Sequence, residues 1–478
     1  MTDGTTASND VGNAAYLTGL YAPVSQELTA TDLPVIGVLP ARLDGVFVQN
    51  MPNPAFTPGV GHSWFDGDGM VHSVEFRGGA AAYRNRYIET RGLREDRAAG
   101  HATYIGSLAR PGAGKRHKNT ANTDLIWHAN RLLALWWEGG EPHALSLPDL
   151  NALGTYDYNG TLDIGLTSHA KRDPATGDLY FIAWGTRRPY LTIGVAGDDG
   201  HLKRKVAVDL PGPRVQHDMA LSDRWVCVFD FPLAMDFDRD QPALGFKMAD
   251  QPSRIGLMSR EPGVDAVRWF DVEQCYMWHV MCARDEGEEF VLLGVRTREA
   301  TNVDAAGIAR NDRPLVDGEH RFDSYLYEWR LNTRDGAVRE GAVDDALAEF
   351  PRVNDAYIAA GARYGYLALI DETAPTLRAK GMAKYDLRNF TRRDVLFPPG
   401  CFGYEPCFAA PDDSVAEDDG YVVGFVTDAE AGTSELWVTA AGDFSAGPVA
   451  RVQLPQRVPP GFHGRWIPRS VFAARGQS

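Results

Sequence analysis

Cysteine is scarce in this chain: five in 478 residues, at positions 227, 275, 282, 401 and 407. That is too few for a disulfide framework, and neither Cys275/Cys282 nor Cys401/Cys407 has the CxxC spacing of a zinc or redox motif. A reducing, cytoplasmic setting is the compartment this usage predicts. Long apolar runs are missing too. No stretch approaches the ~20 residues that span a bilayer as a helix, which predicts a soluble protein, although an apolar surface patch touching a membrane escapes this test. The first fourteen residues, MTDGTTASNDVGNA, have neither a basic n-region nor an apolar h-region, so residues 1–14 read as a disordered leader and not as a signal peptide. Basic charge is also in short supply. Lys and Arg number 48 against 64 Asp and Glu, a formal net charge of -16, and runs such as Lys115-Arg116-His117-Lys118 are short solvated loops. This argues against nucleic acid as a partner, because phosphate binding needs clustered cations. Finally, no long segment holds a 3.6-residue apolar period. The best helical candidates, Thr29 to Leu33 and Asp344 to Glu349, are one or two turns, which argues against alternating βαβ units.

What the chain does contain is a recurring pattern of short apolar runs rich in aromatic and β-branched residues. Examples are Leu132 to Trp137, Leu179 to Trp184, Trp225 to Phe229, Phe290 to Val295, Tyr366 to Ile370 and Tyr421 to Val426. Most are entered through turn sequences such as Asp173-Pro174-Ala175-Thr176-Gly177-Asp178 or Glu417-Asp418-Asp419-Gly420. The pattern predicts an all-β protein. Strand-and-turn units repeat without a Pro/Gly/Ser-rich linker, so residues 15–478 are predicted to form one β-propeller domain of six to eight blades.

Four of the twelve histidines share a setting. His169 in GLTSHAKRDPATGDLYFI, His217 in RVQHDMALSD, His279 in CYMWHVMCARDEGEEF and His463 in PPGFHGRW each stand at the edge of a predicted strand among small or apolar neighbours. Their separations of 48, 62 and 184 residues rule out a zinc finger or an HExxH helix, whose ligands cluster locally. A propeller, whose blades each send one strand to a common axis, lets them meet. Four imidazoles leave a divalent metal its own charge and leave coordination positions open, a donor set suited to iron, copper, nickel or zinc. Each histidine taken singly also fits an ordinary packed residue. The segment Phe65-Asp66-Gly67-Asp68-Gly69 lacks calcium-loop spacing and reads as a structural turn.

The segments HSWFDGDGMVHSVEF, SHAKRDPATGDLYF, QHDMALSD, FPRVND, YEPCFAAPDDSVAEDDGYVV and LPQRVPPGFHGRW, in that order between about residues 20 and 470, resemble the signature segments of the carotenoid cleavage oxygenases. That family includes lignostilbene dioxygenases and retinoid isomerases. The resemblance implies a seven-bladed β-propeller with short helices and loops capping the active-site face. It also implies one non-haem Fe(II) per chain on His169, His217, His279 and His463, with no organic cofactor. Three glutamates would hold the outer ring N–H of three ligands: Glu138 on His217, Glu349 on His279 and Glu405 on His463. Such a carboxylate fixes the tautomer and strengthens the imidazole as a donor.

The activity implied is cleavage of a conjugated C=C bond by O2 into two carbonyl products, with peripheral membrane contact a further option for uptake of an apolar substrate. Trp137, Phe462 and Met281 are the candidate cleft residues. Stilbene cleavers of the family carry lysine where this chain has Trp137, which directs the reading toward a carotenoid or apocarotenoid; an aryl alkene of stilbene, isoeugenol or vinylphenol type is the alternative. A metal-free propeller acting only as a binding module is the non-enzymatic alternative. The chain departs from the family pattern at Ser168-His169-Ala170, at Gln49-Asn50-Met51-Pro52-Asn53-Pro54 and at Val280-Met281-Cys282. These departures bear on substrate scope and leave the ligands in place.

Overall fold

The computed structural model describes residues 14–107, 109, 114–115, 118–236, 245–248, 251–297, 324–374 and 376–473. The predicted leader at 1–14 falls, but for Ala14, outside them. The described strands are assembled almost entirely from antiparallel neighbours into seven blades.

The second blade runs Asp124–His128, Arg131–Leu135, His143–Leu145 and Ala152–Thr155, and the third runs Lys171–Arg172, Leu179–Trp184, Leu191–Ala196 and Leu202–Val208. The fourth blade begins with Ala220–Leu221 and the fifth with Met277–Glu286. Ala348–Val353 opens the sixth and Cys407–Ala409 the seventh, and these two blades are joined through Cys401–Gly403 into one continuous sheet. The first blade takes its strands from both ends of the chain. Gly464–Pro468 pairs with Gly45–Pro52, with Phe47 opposite Trp466 and Gln49 opposite Gly464. This is a propeller closure made by backbone hydrogen bonds, and it holds His463 in place: its carbonyl accepts from Asn50 N–H at 3.1 Å and its N–H donates to Thr123 O at 3.2 Å.

Apolar strand residues point both ways because each blade is covered on both faces by its neighbours. Leu191–Ala196 is buried throughout, whereas Leu202–Val208, the last strand of the same blade, alternates as an outer edge should. Each pair of neighbouring blades shares a core cluster. Ile193 and Val228 belong to the one between the third and fourth blades, Phe229 and Leu292 to the next, and Leu293 and Leu367 to the next. The seventh and first blades share Phe425 and Phe47, whose ring centroids are 5.2 Å apart. The ring of packing is therefore closed.

Helix is a minor component, and the two predicted helical turns are not helical. Thr29–Ala30 pairs with the first blade as a strand, and Asp344 leads by an irregular segment into Ala348–Val353. Edge pairing satisfies the backbone of the first better than an isolated turn would, and in the second Ala346 N–H donates to Asp344 Oδ1 at 3.0 Å. Beside the short Arg469–Ala473, the longer of the two α-helices among the described residues, Arg91–Ala99, carries one large apolar residue, Leu93, and so shows no readable period. It is set by its ends: Thr90 Oγ1 accepts from Leu93 N–H, and Gly100 closes it at φ 74°. Among the described residues no helix is long and apolar enough to cross a membrane. The five cysteines are free thiols, four of them buried.

Candidate metal centre

His169 stands two residues before the leading strand of the third blade, His217 three before that of the fourth, and His463 immediately before Gly464–Pro468. His279 lies inside the leading strand of the fifth. The fold brings all four together. Their ligating nitrogens lie within 4.8 Å of one another, and the Nε2 atoms of His169 and His217, and of His217 and His279, are 3.2 Å apart. Nitrogens held about 2.1 Å from one shared cation at right angles are about 3.0 Å from each other. The donor set therefore fits a metal ion.

Local backbone choices aim these rings. His169 has φ 62° and Phe350, beside the outer carboxylate Glu349, has φ 55°. Both are non-glycine residues in the left-handed region, a conformation that surrounding structure must hold in place. The strand bearing His279 slips register between Met277 and Val280 and again between Val280 and Cys282. Bulges of this kind re-aim side chains next to functional sites.

Two of the three predicted carboxylate contacts are made. Glu349 Oε2 lies 2.6 Å from His279 Nδ1 and Glu405 Oε1 lies 2.8 Å from His463 Nδ1, with both glutamates fully buried. Each therefore accepts the Nδ1 proton and leaves Nε2 with its lone pair toward the centre. Further donors hold both carboxylates: Gly464 N–H donates to the second oxygen of Glu405, Oε2, at 2.6 Å, and Phe350 N–H donates at 2.6 Å to the same Glu349 Oε2 that meets His279, while Ser324 Oγ donates to Glu349 Oε1 at 3.4 Å. The third contact is not made. His217 Nδ1 is buried without a hydrogen-bond partner. Glu138 sits in the turn after Trp136, where its half-buried side chain lines a polar recess with Asp66, Lys118 and Tyr104.

The electrostatics favour the neutral form at two of the four imidazoles. Burial, reinforced by the neighbouring imidazoles, holds His169 and His217 well below the usual histidine range. Burial also disfavours charge on His279, but Glu349 outweighs it and the net shift is upward. Burial would raise Glu405, yet Arg352, His463 and the Gly464 N–H together lower it, so the carboxylate stays ionised.

The surroundings are aromatic. Phe462 is buried and packs on Trp64 at 4.5 Å and on Phe65 at 5.5 Å. Phe350, which the sequence reading missed, lies 5.5 Å from the His279 ring and 5.7 Å from that of His463. Its only sequence signal was its place in Glu349-Phe350-Pro351-Arg352-Val353-Asn354-Asp355, within the quoted FPRVND segment. Trp278 meets His217 edge-on at 5.0 Å, and Trp137 packs on Trp184. Met281 does not join this wall. It is buried with Leu293, Leu326 and Leu367, against Gly365, because the bulge breaks the two-residue alternation that would have put it on the side of His279. The FDGDG segment is structural, as predicted. Asp66 Oδ2 accepts from Ser63 and from Ser107, and Asp68 pairs with Lys118.

A seven-bladed propeller with four histidines converging from different blades defines a class of metal-binding proteins. Comparison gives the family: the chain belongs to the retinal pigment epithelial membrane protein family, whose profile matches residues 21–468, and its relatives are carotenoid-cleaving oxygenases. It is 32% identical over 494 residues to carotenoid 9,10(9',10')-cleavage dioxygenase 1 of Pisum sativum, covering 95% of this chain and 90% of the pea protein. It is likewise 32% identical over 523 residues to the carotenoid cleavage oxygenase of Mycobacterium tuberculosis, covering 97% and 99% of the two chains. Among solved structures, lignostilbene dioxygenase of Pseudomonas brassicacearum superposes with a TM-score of 0.85 at 28% identity, over 95% of this chain and 98% of that one. A mutant of Synechocystis apocarotenoid oxygenase gives 0.81 at 25% identity, over 93% and 97%.

Proposed function

We propose that this protein is a non-haem Fe(II) dioxygenase that cleaves one conjugated C=C bond of a carotenoid or apocarotenoid, with both atoms of O2 ending in the two carbonyl products. The observation that carries the reading is the convergence of four Nε2 atoms, two of them fixed by buried carboxylates, beside an aromatic wall. The stoichiometry closes without a reductant: the alkene gives up its C=C bond, O2 its O–O bond, and two C=O bonds form. Iron(II), when bound, supplies the electron transfer that lets triplet O2 react with a closed-shell alkene.

The chain's own residues do the rest. Glu349 and Glu405 hold the Nδ1 protons of His279 and His463, so these rings present lone pairs inward. Phe350 and Phe462 offer flat apolar surface to a polyene and help exclude water, which serves positioning more than acid–base chemistry. No proton needs to be moved in the overall reaction, in keeping with a site built from neutral donors. Membership in a family of oxygenases favours this over a metal-free binding module.

The aryl-alkene alternative has support in the lignostilbene dioxygenase superposition. The side chain at the discriminating position, however, is Trp137, packed on Trp184 with its centroid 5.9 Å away. An indole offers a polyene a contact face and offers a phenolate no cation. The test is aerobic incubation of Fe(II)-loaded protein with β-carotene, an apocarotenal, resveratrol and isoeugenol under 18O2, with mass spectrometry of the aldehydes. Label in both products from a polyene is the expected result. Turnover of the phenolic substrates alone would reverse the substrate assignment, and failure to take up iron would remove the enzymatic reading.

A further inference from the structure

Next to the four imidazoles lies a set of buried charges that no metal ligand contacts through its ring. Asp124, Lys171, Asp218 and Arg465 are 1%, 9%, 3% and 8% exposed. Burying ions is expensive, and an ion pair inside a protein is weak evidence of stabilisation. Their placement is informative, because each lies within two residues of a ligand histidine or bonds to its backbone.

Asp218 follows His217. Its Oδ1 accepts from Met219 N–H at 2.7 Å and lies 2.6 Å from Lys171 Nζ, two residues after His169; its Oδ2 accepts from Val280 N–H at 2.7 Å, the residue after His279. One carboxylate fastens the strands of three ligands. Asp124 reaches the fourth. Its Oδ2 accepts from His169 N–H at 3.2 Å, while its Oδ1 accepts from Leu125 N–H at 2.8 Å and faces Arg465 Nη2 at 3.5 Å. Arg465 is two residues after His463 and also donates Nε to Leu125 O at 3.0 Å and Nη1 to Asp355 at 2.9 Å. The contacts form one continuous chain through the blades that carry His463, His169, His217 and His279.

We propose that Asp218 and Asp124 are positioning residues of the metal centre, setting where the four ligand strands stand relative to one another; the inference rests on the metal reading above. The carboxylate is needed for its two equivalent acceptors. Asparagine at 218 keeps one oxygen and turns an N–H2 group toward either Met219 N–H or Val280 N–H, so one of the strands is released.

Metal affinity, by competition with a chelator, and the visible spectrum of the Co(II)-substituted protein test this on full-length parent, Asp218→Asn, Asp218→Asn/Lys171→Met and Asp124→Asn. The parent is expected to bind one ion. Asp218→Asn is expected to bind at least tenfold more weakly, within the range for outer partners of metal ligands, and to shift the Co(II) bands. The double variant restores the parent's net charge; it is expected to stay weak with shifted bands. Recovery of both in the double variant would show a charge effect only and overturn the proposal. So would binding within twofold of the parent, with an unchanged spectrum, in the folded single variants. Asp124→Asn carries the same test through a different carboxylate if Asp218→Asn does not fold. A parent that takes up no metal overturns the metal reading and this inference with it, whereas a binding parent beside equally binding variants overturns the inference alone.

Discussion

His128 shows how one residue's burial becomes a property of the whole protein. Its Nε2–H donates to Gly177 O at 3.1 Å, which leaves Nδ1 to accept from Tyr158 O–H at 3.0 Å. The ring is thereby committed to the neutral form, and burial pushes it down to about 4; His143 is likewise pushed down to about 4 and His72 to about 3. The unfolded chain takes up protons near pH 6.5 while the folded chain does not, so stability falls as pH drops below 6.5. The loss is at most about 1.4 kcal/mol per pH unit for each group and levels off below pH 3 to 4. Urea unfolding between pH 7.5 and 4.5 is expected to show this slope, and His128→Gln to reduce it by one group's share. At the centre, Glu405→Gln is expected to lower metal affinity ten- to a hundredfold while moving the unfolding temperature much less. A large thermal loss with unchanged affinity would make Glu405 a packing residue instead.

At the scale of the element, strands were legible and their irregularities were not. The apolar runs at Leu179 to Trp184 and Tyr421 to Val426 announced strands that the structure contains, because a strand covered on both faces is apolar throughout. The bulge at Val280 had no such mark, and it is the reason Met281 packs into an interblade core. The helix Arg91–Ala99 was missed because its stability comes from caps and the Arg91–Glu95 pair more than from an apolar stripe. Gly464–Pro468 is the element whose loss matters most, since it both closes the first blade and carries His463 to the centre. Removing residues 459–478 is expected to abolish metal uptake and to lower the midpoint of thermal unfolding together. Gly461→Ala is a finer test: a Cβ there would stand 2.8 Å from Asn50 O and closer still to Met51 Sδ. A loss of about 1–3 kcal/mol is expected, read by denaturant unfolding.

Across the whole molecule the leading strand of every blade, or the one to three residues ahead of it, gives the axis a polar group. Asp124 comes from the second blade, His169 and Lys171 from the third, His217 and Asp218 from the fourth, and His279 from the fifth. Glu349 and Glu405 come from the sixth and seventh, and His463 and Arg465 from the strand that closes the first. Substitution of any ligand histidine is therefore expected to cost the metal without unfolding the ring, since the interblade clusters are made by other residues. His217→Ala, with metal content measured by elemental analysis and folding by circular dichroism, tests this.

The sequence by itself determined the all-β character, the four histidines as a set, and the carboxylates Glu349 and Glu405, because residue type, strand pattern and family segments are local properties of the chain. Only the tertiary structure decided that Glu138 leaves His217 Nδ1 unbonded, that Phe350 and not Met281 stands by the imidazoles, and that Asp124 and Asp218 tie the ligand strands together. Those outcomes depend on register, on a left-handed φ and on which blades meet at the axis, and each joins residues tens to hundreds of positions apart that no local pattern relates.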